Sequence, residues 1–226
     1  MKAKILACRT LEREVRLAME NCGCRWELEV LSDSNHDVPA RLRQSIQKKL
    51  DDIENADRVL LAFTTCGGAM VGLRSGEFEL VIPRMDDCIC LLMGSMARRK
   101  EVLEGGFGLF VTQGWLENEK NSAAQLEHIR NKYSPARAKK IIETMYGNFD
   151  SLNVIDTGAY DLPSILPRTE ALARELHLTH RIVPGTLELL ENLVQGPYDP
   201  QRFIIVPPHT EITERDVLLT PVVFAK

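Results

Sequence analysis

Six cysteines stand at positions 8, 22, 24, 66, 88 and 90, and the chemistry open to each depends on where the chain places it. An ionised cysteine binds soft metals or attacks carbon, whereas a neutral thiol in a core is a small apolar group. Cys8, Cys66 and Cys88 each follow an apolar, strand-like run, at residues 4–7, 58–63 and 79–82 respectively. Ligands of parallel α/β sheets bind outside the carboxyl ends of the strands, so these three thiols are expected to converge on one edge. The competing reading is three buried small hydrophobes. Cys90 lies inside a helical stretch beside Leu91 and Leu92, where packing is the better account, and Cys22-Gly23-Cys24 closes a helix without ligand partners nearby in sequence.

Other residue types cluster around the three. Cys88 opens a helix, where the positive end of the dipole favours thiolate. Gly67 and Gly68 follow Cys66 and let backbone approach a bulky or anionic ligand, or simply make a tight turn. His36, in the loop after the second strand, reads as a fourth ligand, a general acid or a surface residue. Asp87 reads as a proton-moving group or a helix cap. Arg74 and Arg84 are candidate anchors for a carboxylate or phosphate, or solvated charges.

The elements that must carry these residues alternate. Strands are expected at 4–7, 26–31, 58–63, 79–82 and 107–112, and helices at 10–20, 40–54 and 88–103. Residues 117–145 are polar and helical, with Pro135 as the break. The alternation restarts with strands at 151–155, 181–183 and 202–206 and helices at 166–176 and 186–194, and a closing edge strand with Pro221 is expected over 217–224. Strands alternating with helices predict an α/β fold: mostly parallel sheets with helices on both faces, in two Rossmann-like halves. The expected organisation is an N-terminal half at 1–116 bearing the cysteines, a helical connector at 117–147 and a smaller C-terminal half at 148–226.

Composition bounds the rest. Hydrophobic residues make up 44%, enough for a real core in 226 residues, and the net charge of −4 gives no general attraction to nucleic acid. The first apolar run is too short for a signal peptide and no run reaches membrane-spanning length, so a cytoplasmic protein is expected. Cysteines in a reducing compartment are read as core filler, ligands or nucleophiles rather than disulfides.

Several short motifs together resemble the DUF1638 family, a domain of unknown function common beside corrinoid-dependent methyltransferase genes. They are Ala7-Cys8, His36 with Pro39 and Leu42, Thr65-Cys66-Gly67 with Val71-Gly72-Leu73-Arg74, and Val81-Ile82-Pro83-Arg84-Met85-Asp86-Asp87-Cys88 with Gly94-Ser95. Thr112-Gln113-Gly114-Trp115, Asp156-Thr157-Gly158, Gly185 and Val206-Pro207-Pro208 extend the resemblance across most of the chain. Gln113 stands where the family tends to have Pro. The resemblance implies that Cys8, Cys66 and Cys88 are the recurring cysteines and that the other three are not. It implies no reaction.

The leading expectation is a [4Fe–4S] cluster held by Cys8, Cys66 and Cys88, with one iron open to a small anionic substrate. Arg74, Arg84 and Gly67 would bind that substrate and His36 or Asp87 would move protons, in lyase-, hydrolase- or transferase-type chemistry. A second reading is zinc held by the three cysteines and His36. A third is a non-catalytic accessory delivering metal or corrinoid to a methyltransferase system; the chain lacks the Asp-x-His-x-x-Gly run of a corrinoid carrier.

Overall fold

The computed structural model describes residues 2–31, 38–118 and 121–217. The chain divides into two compact units, Met1–Gly94 with Thr186–Lys226, and Ser95–Gly185. It is an α/β protein throughout.

In the first unit, β1 (Ala3–Cys8), β2 (Glu27–Leu31), β3 (Arg58–Ala62) and β4 (Glu79–Pro83) are parallel, and β8 (Phe203–Val206) is antiparallel to β4. The order across the sheet is β2-β1-β3-β4-β8. β3 is a continuous apolar run with Val59, Leu60, Leu61 and Ala62 fully buried, the pattern of a strand covered on both faces. From β1 the chain passes through α1 (Glu12–Asn21) to β2 on one side, then through α2 (Pro39–Asp51) to β3 on the other. Right-handed crossovers in opposite directions put α1 and α2 on opposite faces. α9 (Glu188–Gln195) packs against α1.

The second unit has its own parallel sheet, β5-β6-β7, formed by β5 (Gly108–Val111), β6 (Ser151–Asp156) and β7 (Thr179–Pro184). Leu152 and Val154 of β6 pack with Leu126 of α6 (Ser122–Lys132), Tyr146 of α7 (Pro135–Tyr146), and Ile165, Leu172 and Leu176 of α8 (Leu162–Leu176). Pro135 occupies the first turn of α7 and so separates it from α6. The strand read at 107–112 therefore pairs with β6, and the one read at 202–206 returns to the first sheet.

Instead of one helix over 88–103 there are two, α3 (Cys88–Met93) and α4 (Met96–Leu103). Gly94 takes φ 83, closing α3 in the left-handed region, and the Ser95 hydroxyl accepts the Arg98 N–H at 3.1 Å to cap α4. α5 (Gln113–Leu116) is likewise capped by the Thr112 hydroxyl, which accepts from Trp115 N, and α10 (Glu214–Val217) ends the described chain. Apart from Val217, the strand expected over 217–224 lies outside the described residues. No helix among the described residues is long and apolar enough to cross a membrane.

Candidate functional site

The sheet order reverses direction at β1: one crossover leads out to β2 and the next leads back past it to β3. Loops diverge at such a point and leave a crevice beyond the carboxyl ends, where open α/β sheets take their ligands. Ala7 and Ala62 are register partners on the two strands that flank the switch point. Cys8 is the last residue of β1, and Cys66 follows β3 by four residues.

Cys8 is buried, and its Sγ lies 3.1 Å from Thr10 Oγ1. Cys66 Sγ lies 3.1 Å from Thr64 Oγ1. Cys66, Gly67 and Gly68 have φ of 44°, 66° and 87°, three left-handed residues in succession. Glycine adopts this freely, but for a residue with Cβ it costs on the order of 1 kcal/mol, so Cys66 is held in a strained turn. A Cβ on Gly68 would meet nothing within 4 Å, so its backbone angle and not crowding calls for glycine there.

Hydrogen bonds stitch this turn to the loop after β4. Thr65 N donates to Met85 O at 2.9 Å, Cys66 N to Asp86 O at 3.1 Å, and Thr65 Oγ1 to Asp86 O at 3.0 Å. The next residue, Asp87, is the N-cap of α3, its carboxylate accepting the Cys90 N–H at 2.8 Å. Cys88, half-buried, opens that helix, while Cys90 is fully buried in the core.

Burial pushes the Cys8 thiol up to about 11, opposed by the Thr10 hydroxyl and the Thr10 and Leu11 backbone and reinforced by Cys66. Burial also pushes Cys66 up, against the Thr64 hydrogen bonds and with added repulsion from Asp87. Burial and neighbouring groups thus oppose ionisation of both thiols. In the metal-free chain both are neutral thiols at neutral pH.

The remaining candidates separate. Arg74 stands at the amino edge of the sheet: its backbone N–H donates to Gln47 Oε1 near the end of α2, and its guanidinium pairs with Glu211 at 2.8 Å. Arg84, just past β4, is on the carboxyl edge, but its guanidinium donates to Pro200 O at 3.2 Å and Asp216 O at 2.7 Å, tying down the C-terminal segment. Gly67 is exposed beside Cys66, and a Cβ on it would lie 3.6 Å from the Pro39 ring at the start of α2. His36 lies outside the described residues. Among the described residues no three His, Cys, Asp or Glu side chains form a ready-made metal-holding group. Cys22 faces Glu191, its Sγ 3.8 Å from the carbonyl, away from the switch point on the turn that ends α1.

Thr10 and Thr64 are absent from the residues singled out by sequence. Their signal was a hydroxyl two places from a cysteine at a strand end, weak by itself because threonine is common in strands.

Fold and site together define a mostly parallel α/β protein with thiols at its topological switch point. The chain belongs to the DUF1638 family, described as "Protein of unknown function (DUF1638)", whose match spans residues 30–194. No curated protein and no solved structure matches it.

Proposed function

We propose that the carboxyl edge of the first sheet is a thiolate metal site, in which Cys8, Cys66 and Cys88 hold a [4Fe–4S] cluster. The observation that carries the reading is the position of two thiols astride the switch point, with the turn bearing one of them hydrogen-bonded to the loop that leads to Cys88. The donor set suits a soft metal, and ligands from three separate strand ends suit a cubane better than a compact finger. Zinc in a closed Cys₃His set needs His36 as the fourth donor, whereas a cluster with three protein ligands needs no fourth.

The Cys8 and Cys66 sulfurs each lie 3.1 Å from a threonine hydroxyl, that of Thr10 and that of Thr64 respectively. When bound, a cluster with three cysteine ligands supplies an open iron with Lewis-acid character. Asp87, whose carboxylate caps α3 beside Cys88 and raises the Cys66 thiol, is the group placed to take up or release a proton there. Arg74 has no part in the site as we draw it, because its ion pair with Glu211 is on the other edge.

Anaerobic purification and reconstitution with iron and sulfide, followed by metal and sulfide analysis and an absorption spectrum, tests the proposal. A brown protein with about four irons per chain is expected. Colourless protein carrying one zinc per chain would replace cluster by zinc, and protein that binds neither at these cysteines would end the metal-site reading. Loss of metal in Cys8→Ala and Cys66→Ala, with retention in Cys90→Ala, is the accompanying pattern.

A further inference from the structure

We propose that Thr10 and Thr64 are positioning residues whose buried hydroxyls hold the Cys8 and Cys66 sulfurs at the switch point and donate to them once a metal has taken their protons. This deepens the thiolate-site reading and rests on it.

Both hydroxyls are withdrawn from water, Thr10 being 1% and Thr64 0% exposed, and a buried hydroxyl requires a protein partner. In each case the thiol sulfur stands at 3.1 Å. The two pairs do not come from one local turn: the threonine lies two residues after Cys8 but two residues before Cys66. Two different backbone paths therefore deliver the same hydroxyl-to-sulfur contact at the carboxyl ends of the two strands that flank the switch point.

Between a neutral thiol and a hydroxyl either group can donate. A metal-bound thiolate has no proton, so the hydroxyl becomes the donor and the bond becomes charge-assisted. Hydrogen bonds to ligand sulfur orient the donor atom and withdraw electron density from it, which is how outer partners tune affinity and potential.

The test compares Thr10→Val and Thr64→Val, which keep the shape and delete the hydroxyl, with Thr10→Ser and Thr64→Ser, which keep the hydroxyl. In metal-free protein the Raman S–H stretching band is expected to shift in each valine variant and to return in the serine variant. With cadmium(II) as the probe, affinity is expected to fall roughly 10- to 100-fold in the valine variants, with the sulfur-to-metal charge-transfer band moving to lower energy and serine restoring both. S–H bands identical to wild type in the valine variants would overturn the proposal, because the hydroxyls would not hold the thiols. Shifted S–H bands with an unmoved charge-transfer band would also overturn it, because no donation to the bound thiolate would exist. If wild-type protein takes up no cadmium, iron or zinc, the metal-site reading fails and donation to a bound thiolate falls with it. The S–H bands then report separately whether the threonines hold the free thiols.

Discussion

Metal capture at Cys8 and Cys66 is expected to release protons, with a steep dependence on pH. With the Cys8 thiol pushed up to about 11, ionising it at pH 7 costs about 5 kcal/mol, four pH units at about 1.4 kcal/mol each. Cys66 adds a cost in the same direction, from its own burial and from Asp87. The metal–sulfur bonds must supply both. Below these pKa values the free site holds two protons that the loaded site does not, so apparent affinity rises about tenfold per pH unit for each thiol, or about 100-fold for the pair between pH 7 and pH 8. The rise ends only as pH passes the thiols' own values. A competition titration of cadmium or zinc against a chelator of known proton affinity, repeated at several pH values, reads the slope directly. A slope of two or more is expected for wild type, and Cys66→Ala should lower it by one. A wild-type slope of one or less would refute the claim that two protonated, buried thiols are both ligands.

Cys90→Ala should cost about 1 kcal/mol in urea denaturation through lost packing and leave metal content unchanged, since Cys90 lies in the core of the first unit. Arg74→Ala, which breaks an exposed ion pair on the far edge, should change stability by less than about 1 kcal/mol and leave metal uptake intact; lost uptake would put Arg74 back in the site. Gly185→Ala should destabilise the unit Ser95–Gly185 by about 1–3 kcal/mol in a thermal melt, because its Cβ would sit 2.7 Å from Ile155 Cγ2 and 3.1 Å from Asp156 O. An unchanged melting profile would mean that the end of β7 yields more easily than these contacts imply.

Much of the fold was legible because its signals are local. The unbroken apolar run of β3 and the glycines and prolines that end elements do not depend on distant partners. Cys8 and Cys66 were placed on one edge for the same reason: once strands and crossovers are recognised, residues after neighbouring parallel strands share an edge. Partner choice was not local. β5 reads as a strand from its own residues, but nothing in them says that it pairs with β6, and nothing in β8 announces that it runs antiparallel to β4. Arg74 lies eight residues beyond Cys66 in sequence, yet the chain spends that stretch returning across the sheet to begin β4, which carries the guanidinium to the opposite edge. The break at Gly94-Ser95 had a readable signal, a glycine followed by a capping hydroxyl, outweighed by the helical pattern on either side. The threonine partners of the thiols were hidden because a strand-end threonine has many ordinary uses.

The late arrival of β8 sets a timetable for synthesis. β4 is complete at Pro83, but the strand that covers its outer edge begins at Phe203, 120 residues later, after the whole of the second unit has been made. At a ribosome rate of about 5–20 residues per second, the edge formed by Leu80, Val81 and Ile82 stays open for roughly 6–24 s on every nascent chain. An apolar edge left bare for that long invites pairing with a neighbouring nascent chain. Crowded polysomes are therefore the condition in which this protein is most exposed to aggregation, and slowed translation, which lengthens the open interval, is expected to worsen it.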